Sequence, residues 1–287
     1  MNFNIGNIGK DIRYISMEMK YGLTPTVQEI LMRKFISPLV SNIHQLEKKP
    51  KLFDKLLSLI ESNYSFLVIT LLSARFEIFQ NVAKYIEVQG GLEKVIAPNE
   101  YSYIWIPRLF SRYHDIKIFY PYLRVGVHDT SKVFGSLKNT ILVKDKYFFN
   151  STPPDSINKY VFKHGFAKRN VIVYSQPHFP WFSDFQLSQQ LYHYVSINEL
   201  MPGDIVHNAM KKLKISRKRI LRAYYLDLVI VLRSINELIK YVKTRFNFDK
   251  IVIAGIHGEI LGEYNFYFHK NFKIPQLVVV PWYEVTI

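Results

Sequence analysis

Cysteine is absent from the 287 residues of this chain. Its absence excludes disulfide scaffolds, thiolate zinc sites and cysteine nucleophiles, so any metal site would have to use histidine and carboxylate ligands. Long apolar runs are also absent, since no stretch reaches the roughly 18 residues that a membrane span needs. The amino-terminal residues do not resemble a secretory leader. These absences predict a soluble, cytoplasmic protein and leave a role as a virion component open.

Acidic residues are scarce relative to basic ones. The chain has 38 Lys and Arg against 23 Asp and Glu, which gives a net charge of +15. Such an excess favours anionic partners, among them phosphate, sulfate, nucleic acid and lipid surfaces. With 48% hydrophobic residues the chain can still bury a large core. This composition predicts a globular protein rather than a disordered one.

Short apolar runs separated by helical or irregular stretches predict an α/β fold. The first run, Phe66 to Leu72, is continuous and rich in branched residues, as in a strand buried on both faces of a parallel sheet. Helical spacing is longest from Arg217 to Val242, and a shorter helix is predicted from Ala74 to Tyr85. The other predicted strands are Ile116 to Tyr120, Val171 to Ser175, Ile251 to Ala254 and Leu277 to Val280.

The segments outside these runs have weaker signals. Helical spacing from Thr26 to about Glu61 predicts two or three helices before the first strand. We therefore expect residues 1–62 to form a helical amino-terminal extension, packed on an α/β domain that spans residues 63–287. Between Gly126 and Asn158, adjacent prolines and weak periodicity predict an irregular excursion over the surface.

Three segments in the carboxy-terminal half carry motifs. VIVYSQPHFP begins at Val171, IVIAGIHGEILGE begins at Ile251, and His269 is followed by VVPWYEV from Val279. In order and spacing they resemble a group of archaeal sulfatase-like proteins within the alkaline phosphatase superfamily. The corresponding family motifs are Gln-Pro-His-x-Pro, Ser-Asp-His-Gly-Glu-x-x-Gly-Glu, and a single His before a closing Val-Pro-Trp-x-Glu-Val.

Two further segments match the same family less closely. They are LSARFEIF from Leu72 and the stretch from Tyr101 to Trp105, which resembles the nucleophile segment. The resemblance covers roughly residues 64–287. It implies a mostly parallel central sheet flanked by helices, the alkaline-phosphatase-like sandwich.

The resemblance also implies a pair of divalent metals, held by Asp and His ligands at the carboxyl ends of parallel strands, and an activated Ser or Thr. In this chain Leu72 and Ile256 stand where two of the family's aspartates would be. Aliphatic side chains neither bind a cation nor offset its charge. We therefore expect a catalytically impaired pseudoenzyme; if it is active, it would be a metal-dependent phosphoric or sulfuric ester hydrolase.

Several polar side chains remain at the motif positions. His178, His257 and His269 are expected to converge, and three imidazoles can bind one zinc or another divalent ion, with Glu259 as a fourth ligand. No cofactor is expected unless such a metal is retained, and the alternative is that hydrogen bonds satisfy these inherited residues. Ser102 is the closest match to the nucleophile, although a loop serine is more often a turn residue.

Arg75 follows the first strand, from where its guanidinium could hold a phosphate or sulfate bidentately. A salt bridge to Glu77 is the alternative. With cationic and neutral groups kept and the acids lost, the site is expected to bind an anion, such as a small molecule or glycan that bears phosphate or sulfate. The predicted anion-binding residues are Arg75, His178, His257 and His269.

Two other functions remain open. An active hydrolase could use a rearranged metal site, with a carboxylate from Asp115, Asp129 or Asp184. A basic run leading into the long helix could instead contact nucleic-acid phosphates in a nucleic-acid-binding or structural protein, including a viral one. No known signature accompanies the run, and a solvated helix start is the alternative. Its cations are Lys211, Lys212, Lys214, Arg217, Lys218, Arg219 and Arg222.

Overall fold

The computed structural model describes residues 48–98, 102–121, 124–125, 128–129, 134–143, 145, 149, 151–197, 203–268 and 273–287. Helices and strands alternate along most of this length. In chain order they are α1 (Leu52–Glu61), β1 (Phe66–Leu72), α2 (Phe76–Val82), β2 (Gly90–Ile96), α3 (Ser102–Phe110), β3 (Ile116–Pro121), β4 (Arg124–Val125), β5 (His128–Asp129), β6 (Thr140–Val143), α4 (Pro154–His164), β7 (Arg169–Pro177), α5 (Phe185–Ile197), α6 (Gly203–Lys212), α7 (Arg217–Arg245), β8 (Lys250–Gly255), β9 (Ile260–Leu261), β10 (Tyr267–Phe268), α8 (Pro275–Val278) and β11 (Val279–Val285).

A seven-stranded sheet in the order β2-β11-β8-β1-β7-β3-β6 forms the centre of the molecule. The strands β8, β1, β7, β3 and β6 run parallel to one another, and β11 is antiparallel to both β8 and β2. Every residue of β1 is buried, as expected for a strand with helices on both faces of the sheet. The structure confirms the predicted α/β class with a mostly parallel sheet flanked by helices.

Alternate residues of β1 enter different cores, because successive side chains of a strand point to opposite faces. Leu67, Ile69 and Leu71 join the cluster built with α7 on one face. Phe66, Val68 and Leu72 join the cluster that includes residues of α1 and α3 on the other. Leu72, the last residue of the strand, is therefore part of the second core.

The predicted central strands are confirmed, with small extensions at their ends. The predicted long helix is confirmed and runs three residues further, to Arg245. The prediction of a strand over Leu277 to Val280 was partly wrong, because residues 275–278 form α8 and the strand starts at Val279. Pro275 explains the difference, since proline is favoured in the first turn of a helix.

The excursion predicted between Gly126 and Asn158 was also partly wrong. Its described residues include β6, which pairs with β3 and forms one edge of the central sheet, and the first turn of α4. Ile157 is fully buried and packs in the main core. The two prolines that suggested a surface loop lie at the start of this helix, where proline costs no hydrogen bond.

Most of the predicted amino-terminal extension lies outside the described residues. Its described part contains α1, which is helical as predicted and buries Leu52, Leu56 and Ile60. The proposed boundary near residue 62 stays a prediction. Among the described helices, none combines the length and the apolar character that crossing a bilayer requires.

Candidate functional site

The carboxyl ends of three neighbouring parallel strands carry the motif residues. β1 ends at Leu72, β8 at Gly255 and β7 at Pro177, and β1 lies between the other two. Open α/β sheets bind ligands beyond the carboxyl ends of their strands. The segments that follow these three residues therefore meet at one edge of the sheet, which we call the strand-end site.

Leu72 and Ile256 are packed in apolar surroundings. Each is only 2% exposed, and both belong to one cluster that also contains Trp105 and Ala254. The backbone N–H of Ile256 donates to the carbonyl oxygen of Leu71 at 3.0 Å, which fixes this residue beside β1. An ionised carboxylate placed among these side chains would lose its hydration. Both positions therefore contribute to the core rather than to a polar site.

The cavity beside Ile256 is small. Its volume is about 10 Å³, and its lining is apolar apart from Thr70, with Trp105 and Val173 among the lining residues. Such a volume is at the lower limit for one water molecule. Its lining offers a divalent ion no carboxylate and no imidazole, so the residues around Ile256 do not fit the two-metal centre that the resemblance implies.

His178 and His257 come together at the strand-end site as predicted, with ring centroids 6.4 Å apart. Nδ1 of His178 lies 2.5 Å from the carbonyl oxygen of Phe179, and Nδ1 of His257 lies 2.8 Å from that of Gly258. Because a carbonyl oxygen only accepts, Nδ1 carries the proton in each ring and Nε2 holds the lone pair. Burial lowers the pKa of His178 and lowers that of His257 to about 3, so both rings are neutral at pH 7.

Within the described residues, the other side chains predicted for a metal site do not join His178 and His257 to form one. No group of three His, Asp or Glu side chains in these ranges could hold a metal ion. Glu259 is therefore not brought into a common ligand set with His178 and His257, and His269 lies outside the described residues. Ser102 is the first residue of α3, and its side chain is also outside the described part.

Glu259 is a buried carboxyl with little to stabilise its charge. It is 1% exposed, and neither carboxylate oxygen accepts a hydrogen bond within the described part of the chain. Burial raises its pKa to about 8, although the nearby Ser73 hydroxyl and Arg75 guanidinium act in the opposite direction. The Ser73 hydroxyl influences this pKa without reaching standard hydrogen-bond geometry. Glu259 is therefore mostly protonated at neutral pH.

The free energy of unfolding, measured as a function of pH, should reveal the contribution of Glu259. The pKa of Glu259 is about 8 in the folded state, against the usual 4.5. Between these two pH values the folded protein keeps the proton on Glu259, while the unfolded chain has released it. The stability from this group is fully present below about pH 4.5 and is lost as the pH rises through about 8, by on the order of 5 kcal/mol in total. Glu259→Gln should remove this loss and be more stable than the parent at about pH 8.

The matched control for this titration is Glu61→Gln, because Glu61 is an exposed residue at the end of α1. Chemical denaturation of the parent and both variants across the pH range measures the effect. The difference in unfolding free energy between each variant and the parent is compared at every pH. This subtraction removes the loss of stability at acid pH that comes from protonation of the buried histidines. Equal slopes in the parent and Glu259→Gln would contradict the assignment of a buried, protonated carboxyl.

The turn after β1 is held by a tyrosine from α7. Ser73 has a left-handed backbone with φ of 64°, which is uncommon for a residue with a side chain. The Tyr224 hydroxyl donates to the carbonyl oxygen of Ser73 and accepts from the backbone N–H of Arg75 at 3.0 Å. This pair of hydrogen bonds fixes the direction in which Arg75 leaves the strand.

Arg75 is held by two carboxylates. Its Nε donates to Glu77 at 2.6 Å, its Nη1 donates to Glu263 at 2.8 Å, and its Nη2 also donates to Glu77. Burial acts to lower the pKa of Arg75, but the two carboxylates outweigh it and the pKa is raised. The structure thus contains the salt bridge to Glu77 that was the alternative to anion binding. An anion could reach Arg75 only by displacing a carboxylate.

Glu263 is a central residue that the sequence analysis did not select. Its carboxylate accepts from Arg75, from Nη2 of Arg217 at 2.9 Å and from the backbone N–H of Leu261 at 2.7 Å. Burial acts to raise its pKa, but the charge and hydrogen bond of Arg75 and the backbone N–H of Leu261 lower it overall. Its position as the last acid of the His-Gly-Glu-x-x-Gly-Glu motif was the signal that could have identified it.

The carboxylates proposed for a rearranged metal site are not gathered at the strand-end site. Asp115 immediately precedes β3 and pairs at 3.1 Å with Arg169, the first residue of β7, so it lies at the opposite, amino-terminal edge of the sheet. The structure contradicts its predicted role as a ligand. Asp184 accepts from both ends of the Arg219 guanidinium, at 2.7 and 2.8 Å. Asp129 lies in β5, and its side chain is outside the described residues.

The basic run is divided by its ion pairs. Arg217 donates to Glu263 and, at 2.7 Å, to the carbonyl oxygen of Leu261. Arg219 is held by Asp184, and this hydrogen bond lowers the pKa of the Asp184 carboxyl. These two arginines therefore have structural partners. The exposed members of the run are Lys211, Lys212, Lys214, Arg217, Lys218 and Arg222.

Comparison with known proteins gives similar structures but no sequence match. No protein-family model matches the chain, and no curated protein matches it. One similar structure is the soluble domain of lipooligosaccharide phosphoethanolamine transferase A from Neisseria meningitidis, at 12% identity and a TM-score of 0.48, with 78% of each chain covered.

Two further similar structures come from other organisms. The C-terminal periplasmic domain of EcEptC from Escherichia coli, in complex with Zn, has 10% identity and a TM-score of 0.46, with 79% of this chain and 74% of that chain covered. A phosphonate monoester hydrolase from Silicibacter pomeroyi has 10% identity and a TM-score of 0.39, with coverage of 78% and 68%. Any functional conclusion therefore rests on the residues of this chain.

Proposed function

We propose that this protein is a catalytically impaired relative of the alkaline phosphatase and sulfatase superfamily that binds an anionic ligand without turning it over. The observation that carries the proposal is the packing of Leu72 and Ile256. Both end up in the apolar core at the ends of adjacent strands, where the resembled family has metal-binding aspartates. Without these carboxylates, two divalent ions would be bound by too few ligands and too little negative charge.

The charge state of the remaining polar groups supports the same proposal. Glu259 is protonated because burial raises its pKa to about 8. Burial keeps His178 and His257 neutral, a form that suits a hydrogen-bonded core and a metal site equally. A metal centre needs ionised carboxylates to balance the charge of its ions. Of the described acids near these histidines, Glu259 is protonated, and Glu77 and Glu263 are already paired with Arg75.

Arg75 is the group through which an anion would bind. Its charge is balanced at present by Glu77 and Glu263, which are exposed to very different degrees: the Glu77 side chain is 51% exposed and that of Glu263 only 17%. Glu77 therefore occupies the position that an incoming phosphate or sulfate would take on Nε and Nη2 of Arg75. A guanidinium binds such tetrahedral anions with two parallel hydrogen bonds.

Removal of the Glu77 charge should expose this anion site. We expect Glu77→Gln to bind inorganic phosphate or sulfate about tenfold more tightly than the parent, a change of about 1.4 kcal/mol. Adding Arg75→Lys to the same variant should abolish the gain, because an ammonium cannot bind bidentately. Isothermal titration calorimetry with each anion measures the effect.

The matched control is Glu93→Gln, which removes one carboxylate from another surface ion pair, with Lys55. It should leave anion affinity unchanged. If Glu77→Gln and Glu93→Gln bind phosphate and sulfate equally, the anion part of the proposal is wrong. Turnover of generic phosphate and sulfate esters by the same samples, with zinc, manganese or magnesium present, would contradict the loss of catalysis.

A further inference from the structure

A cluster of unpaired cations lies where α6 passes into α7. Lys211, Lys214, Lys218 and Arg222 are all exposed, and none of them forms an ion pair within the described part of the chain. Asp184 and Glu263 hydrogen-bond to other arginines of the same run. Of the four, Arg222 interacts with Asp184 through its charge alone, without a hydrogen bond. We call these four residues the basic surface.

The charge pattern of α7 opposes the preference of a helix. Helix amino termini favour acidic side chains because the macrodipole is positive there. The first turn of α7 has no acid and begins with Arg217, Lys218 and Arg219. The two arginines are compensated by ion pairs, but Lys218 is not. Helix stability alone therefore gives no reason for a cation at Lys218.

The backbone between the helices holds these cations in fixed positions. After α6, the backbone N–H of Lys214 donates to the carbonyl oxygen of Lys211 at 3.2 Å. The backbone N–H of Ile215 donates to the carbonyl oxygen of Met210 at 2.9 Å. Ile215 is buried and anchors the turn in the neighbouring apolar cluster. Ser216 then caps α7 by accepting from the backbone N–H of Arg219. The backbone that carries these cations is therefore ordered before a partner binds, and only the freedom of the side chains is lost on binding.

The surroundings of the basic surface favour nucleic acid over lipid. A helix that binds a membrane inserts an apolar face into it. In α7 the apolar side chains of this region, Ile220, Ala223 and Tyr224, are buried against the protein's own core. Lys218 and Arg222 are one helical turn apart and lie side by side on the helix surface. The apolar side chains left accessible beside them are Leu221, which is partly buried in the same cluster, and Leu226, which is 37% exposed. One exposed leucine is too small an apolar face to insert into lipid, whereas two adjacent cations are suited to successive phosphates of a strand.

We propose that the basic surface binds nucleic acid through its phosphodiester backbone, without recognition of base sequence. If the four cations contact four phosphates, the affinity should fall about a hundredfold when the salt concentration rises from about 50 to about 200 mM. The proposal goes beyond the function proposed above and does not depend on it, because no residue of the basic surface belongs to the strand-end site.

The test uses charge reversal at matched positions of two helices. Lys218→Glu with Arg222→Glu changes the basic surface, while Lys159→Glu with Lys163→Glu changes two exposed lysines with the same spacing on α4. Both double variants lower the net charge equally. Binding of fluorescently labelled duplex and single-stranded oligonucleotides of mixed sequence is measured by anisotropy at low and moderate salt.

The expected result is at least a tenfold loss of affinity in the α7 double variant, a smaller salt slope, and little change in the α4 double variant. The melting temperature of Lys218→Glu alone should be no lower than that of the parent, since this change suits the helix dipole. Equal losses in both double variants would overturn the proposal, because net charge would explain them. Absence of oligonucleotide binding at low salt, or binding to phosphatidylserine vesicles only, would also overturn it.

Discussion

The Leu72→Asp variant is expected to lose about 3–5 kcal/mol of unfolding free energy at neutral pH, which is the usual result of leaving a charge buried without a partner. Leu72 is the last residue of a strand that is buried along its whole length, and it shares an apolar cluster with Ile256 and Trp105. An aspartate there would have to ionise without water or raise its own pKa, and both are costly. Urea denaturation measures the change.

The neutral variant Leu72→Asn is the control, because it has nearly the same shape as aspartate. Both variants lose the packing of leucine, so the difference between them reports the charge alone. This difference should be small near about pH 3, where aspartate is mostly protonated in both the folded and the unfolded state, and should grow as the pH rises. A Leu72→Asp variant as stable as the parent in metal-free buffer would contradict the account, since it would mean that the position accepts a carboxylate.

The second large effect is expected for Gly258→Ala, with a loss of about 3 kcal/mol, at the upper end of the range for overpacking. A Cβ atom at this position would lie 1.9 Å from the carbonyl oxygen of Gln276 and 3.2 Å from Cα of Leu277. Both neighbours are backbone atoms and cannot rotate away. The N–H of Gly258 also donates to the carbonyl oxygen of Leu277 at 2.7 Å, so the segments cannot separate without breaking this bond.

Gly91→Ala provides the matched control, because a Cβ on Gly91 in the exposed part of β2 would meet no atom within 4 Å. Its effect should stay within about 0.5 kcal/mol. Gly258 lies between His257 and Glu259, so the first variant should also disturb the strand-end site. Thermal melts of both variants test the comparison, and a Gly258→Ala protein as stable as Gly91→Ala would show that the close approach of the two segments is not as described.

The parts of the fold that were predictable are those whose sequence pattern is set by burial. The run Phe66 to Leu72 is buried throughout and was predicted without error. The strand β2 was missed because its burial is low and its sequence, GGLEKVI, begins with glycines and contains charges. It lies at the edge of the sheet, where one side faces solvent and few apolar residues are needed.

For the strand-end site, the sequence predicted which histidines meet there but not which residues form ion pairs with one another. The motifs located His178 and His257, and the topology brings them together. The partners of Arg75 could not be derived in the same way, because Glu263 is 188 residues away along the chain. Likewise, the position of Asp115 at the opposite edge of the sheet follows from its pairing with Arg169, which no local pattern contains.

The central claim is that the chain has lost the two-metal centre of the family that it resembles. Its most direct test is the metal content of purified protein after incubation with zinc, manganese and magnesium, measured by elemental analysis. The account predicts no stoichiometric pair of divalent ions, because Leu72 and Ile256 supply neither ligands nor charge. About two tightly bound ions per chain, with turnover of a phosphate or sulfate ester by the same sample, would contradict it.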